Sequence, residues 1–218
     1  EVAMKDAGLS RGDIQRVVST GTGRNAVVQK PPINADEAAS EVVSAAAGSH
    51  HIVPTVKTVV DVGAEEGRGI KVEGGKVRDF VINERCAAGA GTFIEAMARA
   101  LEVKVEDMGP LALKSGNVIP MNAQCCVFAE SEVVSLIHSK ISKEDISKAI
   151  HDAIAGRISS MVLRVGVEKD VVLIGGVALD AGFKPPLERE LKASIIIPEH
   201  PEYVSALGAA VIAASPSR

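Results

Sequence analysis

Residues 58–63, TVVDVG, are the stretch of this sequence that most directly indicates a fold, because an apolar run of strand length ends there on a carboxylate and a glycine. Such near-continuous β-branched runs are typical of strands buried on both faces. Asp61 at the strand end can hold a metal-bound water, and Gly63 lets a phosphate approach backbone amides. The segment continues as AEEGR to Arg68, and alone it also fits a glycine turn with solvated acids.

A second stretch with related chemistry lies at residues 171–182, VVLIGGVALDAG. Gly175 and Gly176 directly follow an apolar strand, as close approach of a backbone to a nucleotide requires. Packing of the two glycines against a neighbouring element is the alternative. Neither a G-x-x-x-x-G-K-[ST] phosphate loop nor a full G-x-G-x-x-G fingerprint occurs, and residues 20–24 (TGTGR) offer only a G-x-G fragment.

The elements around these stretches alternate between strand and helix. Residues 69–72 and 77–83 predict strands around a Gly-Gly turn, forming a β-meander with 58–63. Helical spacing of small and apolar residues predicts helices over 35–47 and 203–214. This alternation predicts an α/β fold.

Composition excludes several classes of function. The 218 residues carry a formal net charge of −4 and only 2% aromatic residues, which argues against a nucleic-acid partner. No apolar run is long enough for a membrane span and no signal peptide opens the chain, so we expect a cytoplasmic protein without membrane contact. The chain begins at Glu1 inside what reads as the end of a helix, so we expect that an upstream segment is missing.

Two of the three cysteines stand immediately before predicted helices. Cys86 precedes a Gly- and Ala-rich helix start, and Cys125 precedes a second helix on which Val127, Val134 and Ile137 share one stripe. Helix N-termini favour thiolates and anionic clusters. Two cysteines cannot complete a four-thiolate cluster alone, but two chains related by a twofold axis can.

Other fates of the cysteines remain open from spacing alone. All three can be small core residues, two chains can share a zinc ion, or Cys86 can form a disulfide with Cys125. Cys126 projects about 100° around the helix from Cys125, which favours a buried thiol. The five histidines show no metal-ligand spacing, so we expect them on the surface.

Three strings carry a resemblance to a known family. They are NERCAAGAG at 83–91, CCVFAESEV at 125–133 and LIGGVA at 173–178, joined by SALGAA at 205–210. The sequence resembles the ATPases that activate 2-hydroxyacyl-CoA dehydratases and energise benzoyl-CoA reductases, members of the acetate and sugar kinase, heat-shock chaperone and actin superfamily. The first phosphate segment of that family, D-x-G-[ST]-[ST], is absent. Residues 64–66 read AEE where many activators have Gly-Gln-Asp, which makes the chain look most like a nucleotide-binding benzoyl-CoA reductase subunit.

The resemblance implies a two-domain, actin-like (ribonuclease H-like) α/β ATPase fold with a truncated N-terminal part. Residues 1–56 are the remainder of the first domain, with closing helix 204–218 packing there, and residues 57–203 form the second domain with the cysteines. The implied ligands of a [4Fe-4S] cluster shared by two chains are Cys86 and Cys125. ATP or ADP with Mg²⁺ is implied at a site whose residues are Gly21, Gly23, Asp61, Gly63, Ala64, Gly175, Gly176 and Val177. Glu65 stands where an amide would orient water, so Asp61 and Glu65 are the implied catalytic residues.

The resemblance also implies partners and a reaction. The chain would form a homodimer or pair with a related subunit, accept electrons from ferredoxin or flavodoxin, and deliver them in an ATP-dependent step to a CoA-thioester reductase or dehydratase. A sugar kinase of the N-acetylglucosamine type from the same superfamily, and a nucleotide-binding scaffold subunit, are the alternatives.

Overall fold

The computed structural model describes residues 2–83, 90–122 and 125–215. Its α-helices are α1 (Val2–Asp6), α2 (Glu41–Ile52), α3 (Ala90–Ala100), α4 (Val105–Ala112), α5 (Cys126–His138), α6 (Lys143–Val162), α7 (Lys184–Leu191) and α8 (Val204–Ala214). Its strands are β1 (Val18–Ser19), β2 (Glu37–Ala38), β3 (Thr58–Val62), β4 (Gly67–Glu73), β5 (Lys76–Asn83), β6 (Val171–Ile174) and β7 (Ile195–Ile196). Short 3₁₀ helices span Arg11–Asp13, Arg24–Val27, Leu163–Val165, Gly176–Leu179 and Pro201–Tyr203.

The main sheet of the described chain has the strand order β5-β4-β3-β6-β7. β3, β4 and β5 are antiparallel neighbours, which confirms the predicted meander, whereas β6 pairs parallel with both β3 and β7. Every residue of β3 and β6 is buried, as their apolar runs predict. A separate two-stranded sheet pairs β1 with β2 in parallel.

Helices cover both faces of the main sheet, and the side chains of β3 alternate between two cores. Val60 belongs to a large cluster with Phe93 of α3 and Ile154 of α6. Val59 belongs to a second cluster with Val42 of α2 on the opposite face. The period of two along a strand therefore divides its side chains between the two helical layers.

The C-terminal helix α8 lies against α2 and also contacts β1. Two glycines permit the close approach, because a Cβ on Gly48 would lie 3.0 Å from Gly208 N, and one on Gly208 would lie 2.8 Å from Gly48 N. The division of the chain into domains at residue 56 stays a prediction.

The helix predicted over 35–47 is wrong at its start, because residues 37 and 38 pair with β1 and the helix begins at Glu41. Ser40 caps it by accepting a hydrogen bond from Val43 N at 3.3 Å. No helix of the described chain is long and apolar enough to cross a membrane.

Candidate functional site

The carboxyl ends of β3 and β6 form one edge, and this edge brings the two Gly-containing stretches together. Asp61 is in register with Ile174, so the turn after β3 lies beside Gly175. Gly175 has φ +89°, and a Cβ on it would lie 2.8 Å from Asp61 Oδ1 and would also meet the Val62 carbonyl oxygen. Only glycine satisfies both the backbone conformation and the space at this position.

The Asp61 carboxylate at this edge is held by a buried guanidinium. Asp61 and Arg68 are 6% and 8% exposed, and Arg68 Nη1 donates to Asp61 Oδ2 at 3.0 Å. Nη2 of the same arginine donates to Glu41 Oε2 at 2.7 Å and to Glu66 Oε2. One guanidinium therefore binds three carboxylates from α2, β3 and the turn after β3.

Burial raises the pKa of Asp61, and the positive charge of Arg68 acts against that rise. Burial also disfavours the charged form of Arg68, but Asp61, Glu41 and Glu66 together raise its pKa above the usual value. The guanidinium thus stays charged and keeps the three carboxylates in place.

The turn at 63–66 is closed on itself and bonded to the start of α3. Gly63 N donates to the Glu66 carbonyl at 2.9 Å, and Ala64 and Glu65 lie exposed at the tip. Gly91 N donates to the Gly63 carbonyl at 3.1 Å. Thr92 donates to the Ala64 carbonyl through its backbone N at 3.0 Å and also through its hydroxyl Oγ1.

Beside this edge lies a cavity of about 410 Å³. Three predicted nucleotide residues line it, namely Ala64, Gly176 and Val177. The remaining wall combines apolar side chains with acids from α3, α4 and the segment after β6, which are Gly91, Ile94, Glu95, Val105, Glu106, Pro110, Leu179, Asp180 and Ala181. An apolar pocket with a few polar groups suits a flat base and its ribose hydroxyls.

One wall of the cavity is supported by a buried histidine that the sequence did not reveal. His151 is 1% exposed; its Nδ1 lies 2.7 Å from the Ser147 carbonyl and its Nε2 lies 2.9 Å from Asp180 Oδ2. Asp180 Oδ1 in turn accepts a hydrogen bond from Gly182 N at 2.9 Å. The prediction that the histidines lie on the surface is therefore wrong for His151, whose pairing with Asp180 has no local sequence signal.

Gly21 and Gly23 are not among the described residues that line the cavity. Instead, ion pairs connect the turn that contains them to the edge of β3 and β6. Arg24 Nη1 donates to the Gly21 carbonyl at 3.0 Å and lies 3.9 Å from Glu41 Oε2, which binds Arg68. A series of ion pairs therefore connects the first Gly-rich turn to Asp61.

The two cysteines at the start of α5 have different surroundings, while Cys86 lies outside the described residues. Cys125 is the partly exposed N-cap residue, with an extended backbone at φ −133° and ψ 129°. Cys126 begins the helix and packs against the main core cluster, but it is partly exposed as well, so the prediction of a buried thiol is wrong. A partly exposed thiol before a helix N-terminus fits an anionic cluster ligand. Within 2–83, 90–122 and 125–215, no group of three or more His, Cys, Asp or Glu is arranged to hold a metal ion.

Strand β3 ends on a carboxylate that an arginine binds, and the parallel strand β6 ends on two glycines beside an apolar cavity. This arrangement defines a nucleotide-binding class of α/β protein. Residues 1–213 match the model of the BadF/BadG/BcrA/BcrD ATPase family, and the chain belongs to that family.

Known proteins of this family include close structural matches. Component A of (R)-2-hydroxyglutaryl-CoA dehydratase from Acidaminococcus fermentans has a TM-score of 0.91 at 38% identity, covering 96% of this chain and 80% of that protein. The 2-hydroxyisocaproyl-CoA dehydratase activator from Clostridium difficile, with bound ADPNP, has a TM-score of 0.89 at 37% identity, covering 96% and 77%. The expected actin-like ATPase fold is thus confirmed.

A benzoyl-CoA reductase subunit from Thauera aromatica is 32% identical over 95% of this chain and 74% of its own length. The resemblance to the dehydratase activators and benzoyl-CoA reductases is therefore confirmed. The expectation that the chain is most like a benzoyl-CoA reductase subunit is wrong, because the two solved structures above are more similar to it, at 38% and 37% identity.

Proposed function

We propose that this chain is an ATP-dependent electron-transfer protein that activates a CoA-thioester dehydratase or reductase through a [4Fe-4S] cluster shared with a second copy or a related subunit. The observation that carries the proposal is the bonding of the 63–66 turn to the first turn of α3. That helix begins at Ala90, four positions after Cys86. The nucleotide edge is therefore joined directly to the helix that follows a proposed cluster ligand.

The proposed nucleotide site uses the edge of β3 and β6 and the adjoining cavity. The relative with bound ADPNP supports a nucleotide there. In the turn that Gly63 opens, Ala64 would offer its backbone N-H to the phosphates. Gly175, Gly176 and Val177 would bind the nucleoside. Asp61 would hold Mg²⁺ through water, since Arg68 binds its Oδ2 and its Oδ1 lies on the side of Gly175. Gly21 and Gly23 would contact the phosphates from the first Gly-rich turn, which lies at the far end of the series of ion pairs from Asp61.

Cys86 and Cys125 of two copies are the proposed ligands of the cluster, which supplies one-electron transfer at low potential when bound. Both thiols are partly exposed, so it is the packing of Cys126 against the core that supports Cys125 as the ligand. Reduced ferredoxin or flavodoxin is the proposed donor. Binding and hydrolysis of ATP at the 63–66 turn would shift α3 and so change the surroundings of Cys86.

Anaerobic purification followed by iron analysis tests this proposal. We expect brown protein with about two iron atoms per chain, because two chains share four. Cys86→Ser and Cys125→Ser should each lose the iron and weaken dimerisation, while Cys126→Ser serves as the matched control and keeps both. Colourless protein that stays so after iron-sulfur reconstitution, and that phosphorylates an amino sugar, would point to the sugar kinase instead.

Glu65 bears on how fast ATP is hydrolysed. It lies exposed at the tip of the turn, where its carboxylate repels the phosphates and cannot donate a hydrogen bond to orient water as an amide can. We expect Glu65→Gln to raise the Mg²⁺-dependent rate of ATP hydrolysis, with exposed Glu199→Gln unchanged. Protein that binds ATP but shows no hydrolysis in either form would favour the nucleotide-binding scaffold subunit.

A further inference from the structure

Both ring nitrogens of His151 face oxygen atoms that accept hydrogen bonds. Nδ1 lies 2.7 Å from the Ser147 carbonyl oxygen, and Nε2 lies 2.9 Å from Asp180 Oδ2. Because a carbonyl oxygen only accepts, Nδ1 must carry a proton. A neutral ring would then present an unprotonated Nε2 to the carboxylate, and two acceptors make no hydrogen bond. Both contacts form when the ring carries two protons and Asp180 is a carboxylate.

The charged side chains close to His151 on α6 and α7 are paired with one another. Lys148 Nζ lies 2.6 Å from Asp152 Oδ2, and Arg189 Nη2 lies 3.0 Å from Asp152 Oδ1. The Asp152 carboxylate, which follows His151 in the chain, therefore already contacts two cations. The ion-pair contact of Asp180 is with His151, so the doubly protonated ring balances the charge of Asp180.

Two glycines leave room for the pair of His151 and Asp180. A Cβ on Gly182 would lie 3.0 Å from His151 Nε2, and a Cβ on Gly109 of α4 would overlap Asp180 Oδ1. Gly182 N also donates to Asp180 Oδ1 at 2.9 Å. The carboxylate is thus fixed through both of its oxygens. Since an ionised carboxylate can accept about four hydrogen bonds, Asp180 retains acceptor capacity for a ligand.

The cavity that Asp180 lines suits hydrogen-bond donors better than phosphates. Glu95 and Glu106 line it as well, and no Lys or Arg lines it in the part of the chain that the structure describes. Three carboxylates repel a phosphate, whereas the hydroxyl groups of a sugar can donate to them. Glu95 and Glu106 are exposed, whereas only 14% of the Asp180 side chain is. Asp180 is therefore the acid whose position is already fixed before a ligand binds.

We propose that Asp180 accepts a hydrogen bond from a ribose hydroxyl, and that doubly protonated His151 is the positioning residue that fixes this carboxylate for the contact. This inference rests on the proposed function for the presence of a nucleotide. It makes Asp180 a specificity-determining residue, which distinguishes a ribonucleotide from its deoxy analogues. The protonation of His151 does not depend on the ligand, because all its partners belong to this chain.

Nitrogen NMR of the whole chain, with isotope-labelled histidine, tests the pair without nucleotide. At neutral pH both ring nitrogens of His151 should carry a proton and give the signals of an imidazolium ion. The loss of these signals in His151→Gln assigns them. A ring with one unprotonated nitrogen would overturn the proposal, because the second proton would then lie on Asp180 and the ring would not fix an ionised acceptor.

Equilibrium binding of ADP, 2′-deoxy-ADP and 3′-deoxy-ADP, each with Mg²⁺, tests the role of Asp180. Wild type should bind at least one deoxy analogue about tenfold more weakly than ADP, because the lost hydrogen bond is to a charged acceptor. Asp180→Ala should abolish this discrimination, and His151→Leu should reduce it to about threefold or less. His151→Gln still donates to Asp180 through its amide and should keep most of it.

The ratio of the dissociation constants separates positioning from a general structural role. Damage to the fold weakens all three nucleotides alike and leaves the ratio unchanged, so an unchanged ratio in His151→Leu would overturn the proposal. His51→Leu is the matched control, because His51 lies exposed near the end of α2 and should keep the full ratio. Equal binding of ADP and both analogues by wild type would also overturn the proposal. Wild type that binds none of the three would instead refute the proposed function, and the NMR arm would still decide the state of His151.

Discussion

The edge of β3 and β6 and the start of α5 are both proposed binding sites, yet one chain completes them to very different degrees. At the edge, Asp61 and Arg68 are 6% and 8% exposed and fixed by ion pairs. At the start of α5, Val127 and Phe128 are 68% and 69% exposed beside the partly exposed Cys125. The first site is preformed within the chain, whereas the second presents apolar surface that another chain can cover.

This difference separates two kinds of residue by what their loss should affect. Residues of the edge contribute to the folded state of a single chain, so their substitution should lower the free energy of unfolding. Residues of the exposed start of α5 contribute little to that free energy, so their substitution should change association instead. Four substitutions test this division.

The largest effect is expected for Arg68→Met. Removal of the guanidinium leaves Asp61, Glu41 and Glu66 close together without their shared partner, which costs about 3–5 kcal/mol of unfolding free energy. Chemical denaturation measures the loss. Arg78→Met is the matched control, because its pair with Glu73 is more than half exposed and should contribute under about 1 kcal/mol.

Coupling within the charged cluster provides a stricter test of the same site. Adding Asp61→Asn to Arg68→Met should cost less than the sum of the two single substitutions, because the second change removes a charge that the first left unpaired. Additive losses would mean that the buried ion pair does not stabilise the edge.

The next largest effect is expected for Gly175→Ala. The alanine must adopt φ +89° and place its Cβ against Asp61 and the Val62 carbonyl, so we expect a loss of roughly 2–3 kcal/mol in unfolding free energy. Gly176→Ala is the matched control, since nothing lies within 4 Å of its Cβ. An equal loss in both variants would show that the close approach at Gly175 is not what matters.

Much of this edge could be predicted from the sequence because its signals are local. Apolar runs of strand length and the glycines that end them mark β3 and β6, and strand alternation marks the meander. The partners of Arg68 could not be predicted, since Glu41 lies 27 positions upstream and reaches it only after α2 packs on the sheet. The same holds for Thr92, whose acceptor Ala64 is 28 positions away.

The start of α5 shows a different limit of sequence reasoning. Val127, Val134 and Ile137 share a stripe that by its spacing suggests a buried face, yet all three are exposed. The residues that α5 buries are Ala129 and Val133. Periodicity finds an apolar stripe on a helix, but it cannot tell whether the chain's own core or another chain covers that stripe.

The smallest effect on folding, and the sharpest contrast with the edge, is expected for Phe128→Ala. With 69% of this residue exposed, its truncation should change the unfolding free energy by less than about 0.5 kcal/mol. If a second copy covers the start of α5, as the proposed shared cluster requires, the same substitution should weaken self-association by about 2 kcal/mol, or roughly thirtyfold in the dissociation constant.

Sedimentation equilibrium of the anaerobic, cluster-loaded protein measures that association. Leu113→Ala is the matched control, because Leu113 is 55% exposed at the end of α4 and should leave association unchanged. A Phe128 variant that dimerises as tightly as wild type would place the interface away from this surface. Cys125 would then need a partner thiolate that lies outside this surface. Such a result would concern only the dimer interface and would leave the conclusions about the edge of β3 and β6 unchanged.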